Sequence, residues 1–387
     1  MKIKKEVITM EKGIHLKDYK KIVGVQQIEE IRKRAAQLSH VRVLRVYSFS
    51  HIQKMILNLV LLMEDAGIKT EWKMIRSYAF KKPGRKTGHL KESRPAKGIF
   101  DEYDFCFIHG IQPIALVAFR TENPKWIWRC HGDFPRYWKE FPERISSYIH
   151  LYDAVIAARD AVLKNVYTNP IFCMYPSINP FSNTNKPLTA PELSSVAEKY
   201  DIDMDRPIIV QISRFEPLKN QIKAINVYHC VRENTPVQLV LAGDVHIEYP
   251  VSVKYWKKVE SLARTEGIHL VENPHATEIN AFQRMADVVI QPSVQEGFGL
   301  TISEALWKGT PVVASNKGGI PLQIEDGVTG FLAETPAEYA EKIMYLLQNK
   351  DIAEKMGEAG RKFVTENLMI TRHVRDYLTL MQRMKPP

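Results

Sequence analysis

The stretch "SVQEGFGLTISEALWKGTPVVASNKGGI", residues 293–320, decides how the chain is read. It continues from "DVVIQPS", an apolar run with the β-branched content of a buried strand, and turns through Gly-Phe-Gly into a helical pattern that begins near Leu300. Glycines in the turn, Gly297 and Gly299 around Phe298, let the main chain approach an anion closely. The first amides of the helix, those of Gly299, Leu300 and Thr301, add partial positive charge. Glu296 stands before the turn, and Glu304 more than one helical turn inside. Two acids so spaced reach opposite ends of one ligand, each accepting hydrogens from neutral hydroxyls. A phosphate, which carboxylates repel, belongs with the amides and with cations. The order is that of a nucleotide-sugar cradle.

Cations are found at the tip of an earlier strand. "SRFEPLKN" follows the run "PIIVQI" and supplies Ser213, Arg214 and Lys219 just before another helical pattern. One cation at the strand end and one at the helix start can converge on a single anion, aided by the helix amides. Alone, the same residues read equally as a solvated surface loop.

Short apolar runs alternate with helical patterns along nearly the whole chain, the mark of parallel sheets covered by helices. In the first half the strands are "VRVLRVY", "TEWKMI", "YDFCFIHG", "WIWRCHG", "DAVIAA" and "IFCMYPSI", with a helix from about Ile52 to Ala66 stopped by Gly67. In the second half they are "PIIVQISRF", "VQLVLAGD", "HLVEN", "DVVIQPS" and "TPVVAS". The fold class expected is α/β, with two Rossmann-like doubly wound domains facing across a cleft lined by the loops after the strands. Residues 1–185 form the first domain, 186–204 a linker that follows from the Pro-, Asn-, Ser- and Thr-rich stretch 179–195, and 205–365 the second domain. Residues 366–387 form a helix crossing back to the first. His109 and Gln112, in "HGIQP", share a strand-end loop suited to holding an acceptor.

Composition narrows the class. The chain has 387 residues, 45% hydrophobic and 25% charged, long enough for about two domains. The basic start has no apolar run behind it, and no stretch approaches the roughly 20 apolar residues of a membrane span, so a cytoplasmic protein without stable membrane insertion is expected. Cys106, Cys130, Cys173 and Cys230 occur singly in strand-like segments, as buried reduced thiols would. Of the net charge of +10, much lies in "KKPGRKTGHLKESRPAKG", residues 81–98, with seven Lys or Arg against one Glu. This run is a solvated loop or a basic flap for phosphates or an acidic acceptor; it lacks the interleaved aromatics that stack nucleic-acid bases. "DIDMD", with Asp201, Asp203 and Asp205, precedes a strand instead of following one and reads as solvated linker, not as a metal site.

Acid, seven residues, acid ("EGFGLTISE"), preceded by "SRF" with a lysine five positions after its arginine and followed by "EALWKGTPVVASNKGGI" and "EDGVTGFL", resembles retaining glycosyltransferase family four, of the two-Rossmann B-type (GT-B) fold. "NPKWIWRCHGD", "MYPSINP" and "INAFQRMADVVIQ" narrow the resemblance to the archaeal trehalose synthases of the glycosyl-transferring type. What it implies is transfer of a hexose, glucose first, from a nucleoside diphosphate sugar to a sugar acceptor, with no metal and no other cofactor. Arg214 and Lys219 would bind the donor diphosphate with Ser213 and the 297–301 turn. Glu304 would bind the ribose, Glu296 the transferred sugar, and His275 the donor. His131 and Asp133 would lie by sugar and acceptor, although His131 reads equally as a strand-end histidine bonded to backbone. A homodimer is compatible. Two departures stand out: Phe49, Ser50 and His51 occupy the place of a glycine-rich loop, and residues 81–98 replace a longer insertion. Other acceptors, including a phosphorylated sugar, and an inactive nucleotide-sugar binder are the alternative readings.

Overall fold

The computed structural model describes residues 14–47, 50–74, 98–131, 142–158, 167–247 and 249–385. The chain divides into two compact units, residues 1–176 with 370–387, and residues 177–369.

The first unit runs α1 (Lys20–Val23), α2 (Val25–Ala36), β1 (Arg42–Tyr47), α3 (Ser50–Asp65), β2 (Lys69–Met74), β3 (Phe105–His109), a 3₁₀ helix Gln112–Phe119, β4 (Lys125–Arg129), α4 (Pro142–Ile149), β5 (Ala154–Ala157) and β6 (Ile171–Cys173). Its six strands are parallel in the order β2-β1-β3-β4-β5-β6. One sheet face is a continuous apolar core of Leu44, Val46, Cys106, Ile108, Trp126 and Trp128. The alternate residues of the same strands carry Arg45, Phe107, His109 and Arg129, all buried, as a parallel sheet covered on both faces requires. Helix α3 stops where Gly67 adopts φ 101°, its amide and that of Ile68 bonding back to Glu64 and Met63 carbonyls. Residues 48–49 and 75–97 lie outside the described residues, and with them Phe49 and all but the last residue of the basic run. The backbone of Ser50 and His51 is already helical.

The second unit runs α5 (Ala190–Lys199), β7 (Ile208–Ile212), α6 (Gln221–Arg232), β8 (Gln238–Gly243), α7 (Pro250–Leu262), β9 (Ile268–Glu272), α8 (Ala276–Met285), β10 (Val288–Gln291), α9 (Leu300–Trp307), β11 (Val312–Ala314), β12 (Phe331–Leu332), α10 (Pro336–Gln348) and α11 (Lys350–Asn367). Its sheet is also parallel, ordered β12-β11-β10-β7-β8-β9. The chain therefore winds outward from β7 to β9, returns to the other side of β7 at β10, and winds outward again. The point of reversal lies between β7 and β10, the place in an open parallel sheet where ligands bind beyond the strand ends. Both expected sheets are present. The second gains β12, a two-residue strand too short to show alternation.

The stretch 186–204, expected as a linker, is part of the second unit. Thr189 and Glu192 form the start of α5, the Thr189 amide donating to Glu192 Oε2 at 2.7 Å, with Pro191 in the first turn. Lys199 and Tyr200 at its end reach Glu278 of α8 at 2.5 and 3.0 Å. The composition suggested a linker, but Thr-x-x-Glu behind a proline is a helix-start signal. Asp201, Asp203 and Asp205 are exposed, and Asp203 Oδ1 accepts the Asp205 amide in a local turn. The last helix, α12 (Ile370–Met384), belongs to the first unit, where Tyr377 meets Phe107 edge-on at 5.2 Å. Cys106 and Cys130 are buried thiols, but Cys173, expected buried, is exposed on the edge strand β6. Among the described residues no helix is long and apolar enough to cross a membrane.

Gly243 at the end of β8 shows how tightly the strand ends are set. A Cβ there would lie 1.8 Å from the Ser213 carbonyl oxygen. Gly243→Ala should cost the second unit about 1–3 kcal/mol, as overpacking does, and displace the loop after β7. Denaturant unfolding checks this; an unchanged midpoint refutes it.

Candidate functional site

The two loops at the reversal point are joined by one ion pair. Lys219 Nζ, in the loop after β7, lies 2.6 Å from Glu296 Oε2, in the loop after β10, with side chains only 14% and 8% exposed. The same oxygen accepts from Ser293 Oγ at 3.2 Å and faces Gln291 Nε2 at 3.4 Å. The two cations expected to converge on an anion are thus already engaged: Lys219 with Glu296, and the exposed Arg214 with Glu216 at 3.1 Å. Glu296 Oε1 takes no hydrogen bond among the described residues.

Each loop is held from beneath by a matching device. Strands β7 and β10 both end in Gln-x-Ser. Gln211 Nε2 reaches Ser213 Oγ at 3.2 Å, and Gln291 Nε2 reaches Ser293 Oγ at 2.9 Å. Gln211 also donates to the Lys219 carbonyl, and Gln221 donates to Ser213 Oγ and the Arg214 carbonyl. These buried glutamines escaped the reading of the sequence, although an amide interrupting an apolar strand just before a serine was the signal that could have found them.

The Gly-Phe-Gly turn is set by its neighbours. Gly299 has φ 88°, open to glycine and strained for other residues, and precedes the first helical residue of α9. Gln323, fully buried, donates to the carbonyls of Phe298 and Gly299 and accepts from Ser303. Gly318 and Gly319 press against the turn from behind: a Cβ at either would meet the Glu296 or Gly297 carbonyl oxygen at 1.7 or 2.4 Å. The opening amides of α9, at Leu300 and Thr301, have no intrahelical acceptor and donate no hydrogen bond among the described residues.

Glu304, half-buried one turn into α9, has a carboxylate with no hydrogen-bond partner among the described residues. Burial raises its pKa, and Lys308 partly offsets this. Lys308 donates instead to Asn185 Oδ1 at 3.0 Å and to the Glu304 backbone carbonyl at 3.1 Å. Burial brings its ammonium down to about 7, with Glu304 opposing and Arg284 reinforcing. His275 is exposed after β9, its amide donating to Glu278 Oε2 at 2.6 Å at the start of α8. Ser213, Arg214, His275, Glu296 and Gly299 all follow the carboxyl ends of parallel strands.

In the first unit, His131 follows β4 and is half-buried, its Nε2 2.8 Å from Nδ1 of His109. His109, expected beside an acceptor, ends β3 and is only 1% exposed, with His131 set against its Nδ1. Gln112 opens the 3₁₀ helix. Asp133 lies outside the described residues, as do the side chains of Gln112 and His51.

Two outcomes are expected. Lys219→Ala leaves Glu296 buried without its counter-charge and should cost about 3–5 kcal/mol of stability; Lys219→Ala with Glu296→Gln should recover much of this in a denaturant titration. The pKa of Lys308 is lower folded, about 7, than its ordinary 10.5. Between these values the unfolded chain holds more protons, so stability from this group rises with pH, and its burial cost is fullest below pH 7. Lys308→Met should therefore gain stability over wild type at pH 6 and lose that advantage by pH 10.

Comparisons with known proteins bear on the family and the fold. Residues 195–363 match the family "Glycosyl transferases group 1", and residues 86–164 match "Trehalose synthase, N-terminal domain". The trehalose synthase of Thermococcus litoralis is 36% identical, over 95% of this chain and 97% of its own. The fold is similar to that of sucrose-phosphate synthase from Thermosynechococcus elongatus, with TM-score 0.71, 16% identity, and 89% of this chain and 98% of that one covered. It is also similar to Anabaena HepE in complex with UDP-glucose, with TM-score 0.62, 15% identity, and 89% and 100% covered. A switch-point site of buried lysine, glycine turn and two carboxylates, on a chain alike over nearly its full length, identifies this protein as a glycosyltransferase of group 1 belonging to the trehalose synthase family.

Proposed function

We propose that the enzyme transfers glucose from a nucleoside diphosphate glucose to glucose, with retention at the anomeric carbon, giving trehalose. One observation carries the donor half. Around Gly299, Glu296 Oε1 and the Glu304 carboxylate are acceptors without hydrogen-bond partners among the described residues, and between them lie the opening amides of α9. That order supports sugar hydroxyls on Glu296, ribose hydroxyls on Glu304, and diphosphate on the amides with Lys219 and Arg214.

In the transfer, the bond from the anomeric carbon to the diphosphate oxygen breaks and a bond to the acceptor hydroxyl oxygen forms. The acceptor proton passes to the leaving diphosphate, so no pair of carboxylates at glycosidase spacing is needed. Lys219 and the amides stabilise the negative charge that builds on the leaving group. Because Lys219 is paired with Glu296, a diphosphate there shares the ammonium with the carboxylate. His131 is the first unit's contact to sugar. The transfer needs no metal, since fixed cations and amides take the part a divalent ion would play.

Calorimetric titration with nucleoside diphosphate alone tests the division of labour. Glu304→Ala should weaken binding at least tenfold, whereas Glu296→Gln, which keeps the Ser293 hydrogen bond, should bind nearly as wild type while losing turnover by about two to three orders of magnitude. Equal binding losses would refute the assignment. A screen of nucleoside diphosphate glucoses against glucose and sugar phosphates, read by nucleotide release, should give most product with glucose; activity that vanishes in chelator would overturn the metal-free reaction.

A further inference from the structure

Behind His131 the first unit buries a set of cations that the transfer reaction does not itself use. Arg45, in the middle of β1, is fully buried and has no carboxylate partner among the described residues. Its guanidinium is held between aromatic faces, 4.6 Å from the Phe107 ring centroid and 4.3 Å from that of Tyr377, and NH2 contacts Met63 Sδ at 3.0 Å. Its NH1 is directed at Nε2 of His109, 3.5 Å away. His109 in turn stacks on His131, rings 5.1 Å apart and 21° from parallel, with the 2.8 Å contact between Nδ1 and Nε2.

Proton positions in this chain follow from what each group can do. A guanidinium only donates. An N–H on Nε2 of His109 would point at a buried cation, so the proton of neutral His109 is on Nδ1. Only one proton fits in the contact to His131, so Nε2 of His131 accepts it, and the proton of neutral His131 is on Nδ1.

We propose that Arg45 and His109 are positioning residues that fix His131 as its neutral Nδ1–H tautomer. His131 then offers the sugar a hydrogen-bond donor, and its one basic nitrogen is occupied and unavailable as a general base. The proposal rests on the reading of His131 as a sugar contact. The surroundings favour neutral rings throughout. Facing the pair are Arg45 of β1, Arg129 of β4 and, toward His109, His373 of α12, which has Arg372 beside it. Burial comes first: for His109 the neighbouring His131 and then Arg45 and Arg129 add to it, and for His131 Arg129 and Arg45 do, so both histidines are held well below their ordinary pKa, as is His373. The choice of donor over base also agrees with a transfer in which the leaving diphosphate takes the acceptor proton.

Two-bond nitrogen–proton NMR on histidine-labelled full-length enzyme reads the tautomer directly, with the His131 signals assigned by their loss in His131→Gln. The expected result is neutral Nδ1–H His131 from pH 6 to 8. A Nε2–H tautomer or a cation at pH 7 overturns the relay, whatever the activity. Arg45→Met removes the charge facing Nε2 of His109 and should relax the preference, so that Nε2–H His131 becomes detectable beside Nδ1–H; an unchanged single tautomer in this variant overturns the role of Arg45. His109→Asn keeps a donor in the place of Nδ1–H and should hold kcat/KM within about threefold, whereas His109→Phe should lose about tenfold or more, the scale of one hydrogen bond. Equal activity in the Asn and Phe variants overturns the positioning role. Full activity in His131→Ala instead sinks the sugar contact and leaves the tautomer result standing.

Discussion

The contact between Lys219 and Glu296 is the constraint on which the candidate donor site depends. It spans the place where the second sheet reverses its winding and ties the loop after β7 to the loop after β10. Stability is a weak explanation for such a pair, because removing two charges from water costs about as much as their attraction returns. Its effect is geometric. It fixes a cation and a carboxylate side by side, so a ligand that satisfies both must present an anionic oxygen and a hydroxyl close together. A sugar linked to a phosphate does so at its anomeric end.

The rest of the second unit keeps those loops from relaxing. Gly243, Gly318 and Gly319 let one main chain rest directly on another, with no side chain between to act as a cushion. Gln211, Gln221, Gln291 and Gln323 then take up the loop carbonyls and hydroxyls from within. Backbone groups aimed by such contacts need little rearrangement when charge develops on a ligand, which is the basis of electrostatic preorganisation. Residues far from the ligand therefore determine the shape of the cradle.

Much of this was legible in the sequence because strand ends and helix starts leave local signals. The apolar runs located eleven of the twelve strands, and the glycine turn between Glu296 and Glu304 located the candidate donor site. What the sequence concealed was long-range. Nothing in periodicity says that Lys219 meets a carboxylate 77 residues away. Arg45 and Arg129 look like polar interruptions of exposed strand faces until the sheet order and α12 show them buried. The stretch 186–204 misled because proline and threonine signal both a loop and the first turn of a helix, and only the glutamate three residues after Thr189 separates the two.

The first unit is discontinuous in sequence, and this sets an order of events during synthesis. Residues 177–369 are contiguous and hold all six strands of their sheet, so the second unit can fold as it leaves the ribosome. The first unit, although begun earlier, lacks α12 until residues 370–384 emerge. Until then the sheet face bearing Arg45, Phe107 and His109 has no Tyr377 or His373 to cover it. The earlier-born half is thus the later to mature, and a nascent chain halted before residue 370 would leave a cationic, aromatic surface open to chaperones or to aggregation.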